Sequence, residues 1–134
     1  MSFLQILQPP GWARPKGFSN GIAASGKLVF IAGQVGWTGE GKWLARDFGS
    51  QFRQALANII SILKEAKGEP RHIVRLTWYV LDRDEYLHSL GEVGAAYREL
   101  MGRHYPVMAV VQVSGLVEPL ARREIEATAV IPEP

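Results

Sequence analysis

Phe52, Leu56, Ile59, Ile60, Leu63 and Ala66 recur at intervals of three and four along one stretch of the chain. At helical spacing they fall on a single stripe, with Gln51, Arg53, Gln54, Ser61, Lys64 and Glu65 on the other side. A helix divided in this way must lay its stripe on an apolar partner. Asp47 is placed to accept from free backbone N–H groups at its start, and Gly68 with Pro70 ends it.

Strands supply the partner. Residues 27–32 form a short apolar run with β-branched and aromatic members, bounded by turn residues. Residues 73–81 alternate, with Val74, Leu76, Trp78 and Val80 on one face and Ile73, Arg75, Thr77, Tyr79 and Leu81 on the other. Residues 107–113 and 124–131 read as two more strands. A further short strand, residues 18–24, is expected to form a hairpin with 27–32 through a turn at Ser25-Gly26. Pro9, Pro10, Gly11 and Pro15 break the first sixteen residues into an extended arm. A second helix is expected from the Asp82/Glu85 capping box to Gly102, with Tyr86, Leu90, Val93, Tyr97, Leu100 and Met101 as its stripe. Gly91 and Gly94 lie inside it, each costing about 1 kcal/mol relative to Ala, which predicts either close backbone packing or a weak helix.

The order β-β-α-β-α-β-β gives an α+β class, with two helices on one face of a mixed sheet. The other face is left bare, and a bare apolar face implies a subunit interface. With 134 residues there is room for one domain, spanning 1–134. The net charge of +2 is too small to argue for nucleic acid or an anionic membrane. Cysteine is absent, which excludes disulfides, thiolate metal sites and a cysteine nucleophile. No apolar run is long enough to span a bilayer and no secretory leader is recognisable, so a cytoplasmic location is expected. His72, His88 and His104 have no partners at metal-ligand spacing, and the glycines at 33, 36, 39 and 41 lack a phosphate-loop ending. Neither a metal nor a cofactor is expected.

The last strand carries more chemistry. Alternation puts Glu124, Glu126 and Thr128 on one face and Ile125, Ala127, Ala129 and Ile131 on the other. Two carboxylates on one face call for solvation, pairing or use; Arg75, Arg122 and Arg123 are candidate partners.

Five segments, in order, carry a resemblance. They are Phe30-Ile31-Ala32-Gly33-Gln34, the run from Gln51 through Gln54-Ala55-Leu56 to Asn58-Ile59, and Val74 through Thr77, Tyr79-Val80 and Asp82. Tyr97 with Pro106 and Glu124-Ile125-Glu126-Ala127 with Ala129 complete the set. From about Gly17 onward the chain resembles the reactive intermediate deaminase (RidA, YjgF or L-PSP endoribonuclease) family. The resemblance implies a chorismate-mutase-like fold, a homotrimer whose sheets form a central barrel, and ligand pockets between subunits. It also implies hydrolysis of enamines and imines such as 2-aminoacrylate, with an arginine holding the substrate carboxylate. A glutamate and a backbone carbonyl would position water. Those two roles fall on Glu124 and Gly33, and the backbone N–H near Val110 would receive developing charge.

The remaining pocket positions depart from the pattern. The arginine falls on Met108, the first-strand tyrosine on Phe18, the serine before Gly33 on Ala32, and the asparagine on Gly94. A thioether cannot replace a bidentate guanidinium. Two readings follow: a deaminase acting on a larger or less acidic substrate, or a non-catalytic trimer binding a small apolar ligand or a partner. Ribonuclease activity finds no histidine pair and no phosphate track, although Trp12, Trp37, Trp43 and Trp78 could stack on bases.

Overall fold

A computed structural model describes residues 3–134. The stripe becomes helix α1, Phe48–Glu65. Asp47 is extended and accepts from the Ser50 N–H at 2.8 Å, satisfying one of the free donors of the first turn. At the other end Lys67 takes a positive φ of 61°, and the Gly68 N–H returns to the Leu63 carbonyl. Phe52, Leu56, Ile59 and Leu63 are fully buried.

They pack on a four-stranded sheet formed by β3 (Lys27–Gln34), β6 (Arg123–Ile131), β4 (Ile73–Val80) and β5 (Val107–Gln112), in that order. β6 is antiparallel to both of its neighbours, while β4 and β5 are parallel. A parallel pair needs a crossover, and here it contains α2 (Arg83–His88) and α3 (Leu90–Met101). Paired residues share a face. Ile31, Ala127, Leu76 and Met108 therefore form one row toward the helices, and Ile125, Trp78 and Val110 form the next. Phe30, Thr128, Arg75 and Val107 form a row on the opposite face, which no helix covers; Glu124, Tyr79 and Val111 form another. On that face Leu28 is 59% exposed and Phe30 74%.

Three expectations need correction. The arm is not simply extended: β1 (Leu4–Leu7) pairs with β2 (Gly21–Ala24) in a small sheet of its own, so β2 does not form a hairpin with β3. The Ser25 N–H is taken by the Phe3 carbonyl, and Gly26 turns the chain from one sheet to the other at φ 149°. A side chain there would meet the Ile131 carbonyl. The second helix is broken at Ser89, whose ψ of 9° leaves the helical range. No backbone of this chain packs closely against Gly91 or Gly94, so the close-packing reading of these glycines does not hold within the chain. No described helix is long and apolar enough to cross a membrane.

His72 ends a 3₁₀ turn, Pro70–His72, and is buried. Its Nδ1 accepts from the Glu69 N–H at 2.9 Å, and burial pushes its pKa below the ordinary 6.5. The unfolded chain therefore takes up this proton at a higher pH than the folded one. Stability from His72 is present above the unfolded value and lost as pH falls through the folded one. Urea unfolding is expected to show stability declining below about pH 6.5, and His72→Asn to flatten that decline.

Candidate functional site

Hydrogen bonds to the Tyr105–Val107 segment hold the chain after Lys16 in place. The Ser19 N–H donates to the Pro106 carbonyl at 3.1 Å, and the Ser19 hydroxyl to the Tyr105 carbonyl at 2.6 Å. Phe18 is thereby set beside the start of β5. With α3 on the far side, a cavity of about 530 Å³ opens on the helix face of the sheet. Phe18, Gly94, Met108 and Val110 all line it, so four of the seven residues singled out from sequence come together here. Its walls are aromatic: Trp78, Tyr86, Tyr97 and Tyr105. Tyr97 and Tyr105 stack with centroids 5.9 Å apart, and the Tyr97 hydroxyl donates to the His104 carbonyl. Burial pushes the Tyr97 phenol well above its usual range. Lys16 and Arg98 also line this cavity, and no carboxylate does. A larger groove of about 810 Å³, beside Phe3, Arg71 and His104, contains none of the seven residues.

The other three lie across the sheet. Glu124 is on the face that no helix covers, and its carboxylate rests against Gly33, where an added Cβ would lie 2.2 Å from Oε2. Ala32 is exposed beside them, its carbonyl accepting from Gln34 Nε2 at 3.2 Å. Glu126, two residues along the same face, accepts from the Tyr79 hydroxyl at 2.6 Å, which raises the Tyr79 pKa. Glu124 has no hydrogen bond or ion pair to any described residue. Of the two carboxylates it is the one left free to act. Within one chain the sheet separates Glu124 and Gly33 from the cavity.

The arginines are not where pairing with these carboxylates would put them. Arg122 is held by Glu85, Nε to Oε1 at 2.8 Å, and no ion pair joins Arg75 to either carboxylate among the described residues. Arg123 is on the helix face and fully buried. Its guanidinium carbon is 3.8 Å from the Phe48 ring centroid, 4.4 Å from Phe52 and 5.3 Å from Trp78. Burial pushes its pKa below the ordinary arginine range, and the charge of Glu85, itself hydrogen-bonded to Arg122, opposes this only in part. Cation–π contacts are worth about 0.5–2 kcal/mol, whereas an uncompensated buried charge costs several times that. The rings alone do not offset the burial. Alternation could have found this residue, because Arg123 has the parity of Ile125 and Ala127 rather than that of Glu124. No group of three or more His, Asp or Glu side chains among the described residues is arranged to hold a metal ion.

Three helices thus lie on one face of the sheet, with a cavity under the crossover and a free carboxylate on the open side. The family model for endoribonuclease L-PSP matches residues 12–131, and the chain belongs to that family, also called RidA or YjgF. A RutC family protein of Pyrococcus horikoshii is 32% identical over 84% of this chain and 85% of its own. The 2-iminobutanoate/2-iminopropanoate deaminase of Salmonella typhimurium is 31% identical over 78% of this chain and 80% of its own. Among solved structures, a Rid family protein of unknown function from Yersinia pestis superposes with a TM-score of 0.86 at 29% identity, covering 97% of this chain and 100% of that one.

Gly33→Ala tests the contact with Glu124. The added methyl meets the far end of a flexible side chain, so the fold is expected to survive with a stability change within about 1 kcal/mol. The carboxylate is expected to move, which a crystal structure of the variant would show directly.

Proposed function

We propose that this protein is a hydrolytic deaminase of imines or enamines whose site is shared between copies of the chain. The single observation that carries this reading is the free Glu124 carboxylate lying on Gly33, on an open sheet face opposite a ligand-sized cavity. The relatives named as iminobutanoate and iminopropanoate deaminases suggest the reaction class. A second copy that presents its Glu124 face to the cavity of the first would complete the site, and three copies closing their open faces into a barrel would repeat it. Exposed Leu28, Phe30 and Val111 give that face the apolar area an interface needs.

In this reading Glu124 takes a proton from water as the water oxygen bonds to the imine carbon, with the Gly33 carbonyl helping to orient the water. Glu124 passes that proton to nitrogen to give the carbinolamine, a second proton moves from the carbinolamine hydroxyl to nitrogen through Glu124, and as the C–N bond breaks ammonia leaves a carbonyl product. The backbone at Val110 faces the developing charge. Met108 gives no carboxylate grip on β5, and the aromatic walls favour a body larger than that of 2-aminoacrylate. The work is placed in the cytoplasm and needs no metal or cofactor. This reading assigns no role to nucleic acid. A non-catalytic binding protein is the second reading, favoured by the lack of any hydroxyl or charge at Phe18, Ala32, Gly94 and Met108.

Glu124→Gln is expected to lower ammonia release from imines by at least about a hundredfold while leaving the fold intact. Rates equal to wild type across a panel of imines would leave only the binding reading. Phe30→Asp, at an exposed position, is expected to change chain stability by no more than about 0.5 kcal/mol. It is also expected to convert the assembly to monomers by analytical ultracentrifugation and to abolish turnover.

A further inference from the structure

One cation on the helix side of the sheet is left unanswered. All three guanidinium nitrogens of Arg123 are buried and lack an acceptor among the described residues, and so does the indole Nε1 of neighbouring Trp78. Protein interiors rarely leave such donors empty. Phe48, Phe52, Trp78 and Tyr86 box the guanidinium, with Trp78 and Tyr86 meeting edge to face at 6.0 Å. Two of those rings, Trp78 and Tyr86, are also walls of the 530 Å³ cavity. The unanswered donors are therefore one side-chain layer behind the cavity.

We propose that Arg123, with the Trp78 indole N–H beside it, binds the carboxylate of a ligand that enters through this cavity, so that β6 supplies the anion anchor that Met108 does not supply on β5. A planar guanidinium pairs with a carboxylate through two parallel hydrogen bonds, and an indole N–H can add a third. Charge selects the direction of approach. The cavity presents Lys16 and Arg98 and no acid, whereas the surface outside Phe48 presents three acids, Asp47, Glu85 and Glu92, against Arg46 and an Arg122 already taken by Glu85. In this proposal Tyr86, which packs edge-on against Phe48 and Trp78, is the wall that moves. It comes from α2, which buries none of its residues, and its hydroxyl makes no hydrogen bond to a described residue. A swing of that ring opens the box to the cavity. The aromatic lining selects the rest of the ligand, a monocarboxylate with an aromatic or branched apolar body.

The inference deepens the deaminase reading by naming a substrate class, but binding at Arg123 does not require turnover. The probe is phenylacetate, with neutral phenylacetamide as its isostere, followed by calorimetry, Trp78 fluorescence and thermal midpoint. Wild type is expected to bind phenylacetate at least tenfold more tightly than the amide and to gain thermal midpoint with it. Arg123→Met is expected to lose that preference while keeping or raising the ligand-free midpoint, because an apolar side chain of similar length replaces an unpaired charge. Arg123→Lys, which keeps the charge but not the fork, is expected to bind at least threefold more weakly than wild type. It serves as the test if the Met variant does not fold. Arg98→Ala and Lys16→Ala, which remove the solvated cations, are expected to retain most of the preference. Equal binding of acid and amide by wild type, or a carboxylate preference that survives Arg123→Met and disappears in Arg98→Ala, would overturn the proposal. Glu124→Gln is expected to bind phenylacetate as wild type does. A variant that binds but releases no ammonia bears only on Glu124, and active wild type without carboxylate preference sinks only the anchor.

Discussion

β6 is hydrogen-bonded along both edges, and its alternation is therefore imposed on both neighbours. A one-residue slip would exchange every face. It would carry Glu124 and Glu126 under α1 and expose Ile125 and Ala127, so the buried face of β6 sets the register of the whole sheet. The same parity divides the chemistry. Odd-numbered residues from Arg123 onward meet the helices, and Glu124 and Glu126 meet whatever covers the other side.

The parts of the fold legible in the sequence were those fixed by local periodicity. The α1 stripe, its Asp47 cap and the two faces of β4 need only neighbours a few residues away. The β2–β3 hairpin failed because a turn signal says that the chain reverses, not which strand it reverses onto. Ser25-Gly26 does turn the chain, but Leu4–Leu7 in the presumed arm competes successfully for β2. The break at Ser89 was hidden because Tyr86, Leu90 and Val93 keep helical spacing across it. For the site, the family resemblance pointed to Phe18, Gly94, Met108 and Val110, and the fold brings these residues from a loop, a helix and a strand to one cavity. Sequence order could not show that Glu124 and Gly33 lie across the sheet from them.

Met108 and Arg123 are best considered together. Both project to the helix side, one from the edge strand and one from the central strand. The thioether of Met108 keeps the cavity apolar at its edge, and the buried guanidinium at Arg123 puts a positive charge behind its inner wall. A charge held by aromatic faces keeps its hydrogen-bond donors unspent, because a ring attracts the cation without accepting in the plane of the fork. In a box without water, a hydrogen bond to those donors would be stronger than the same bond in solvent.

The two carboxylates on the open face show the same economy. Glu126 spends its acceptor on Tyr79 within the chain, and Glu124 spends nothing. Glu124 shares a row with Tyr79 and Val111, with exposed Leu28 and Phe30 farther along the same face, and its free carboxylate sits there at little cost only while water reaches it. Association of such faces would strip that water and strengthen every charge interaction left inside. Assembly and chemistry would then be one event: the contact that hides Phe30 would also dry Glu124 and bring it to a neighbour's cavity. A lone chain has both halves of the site and the sheet between them.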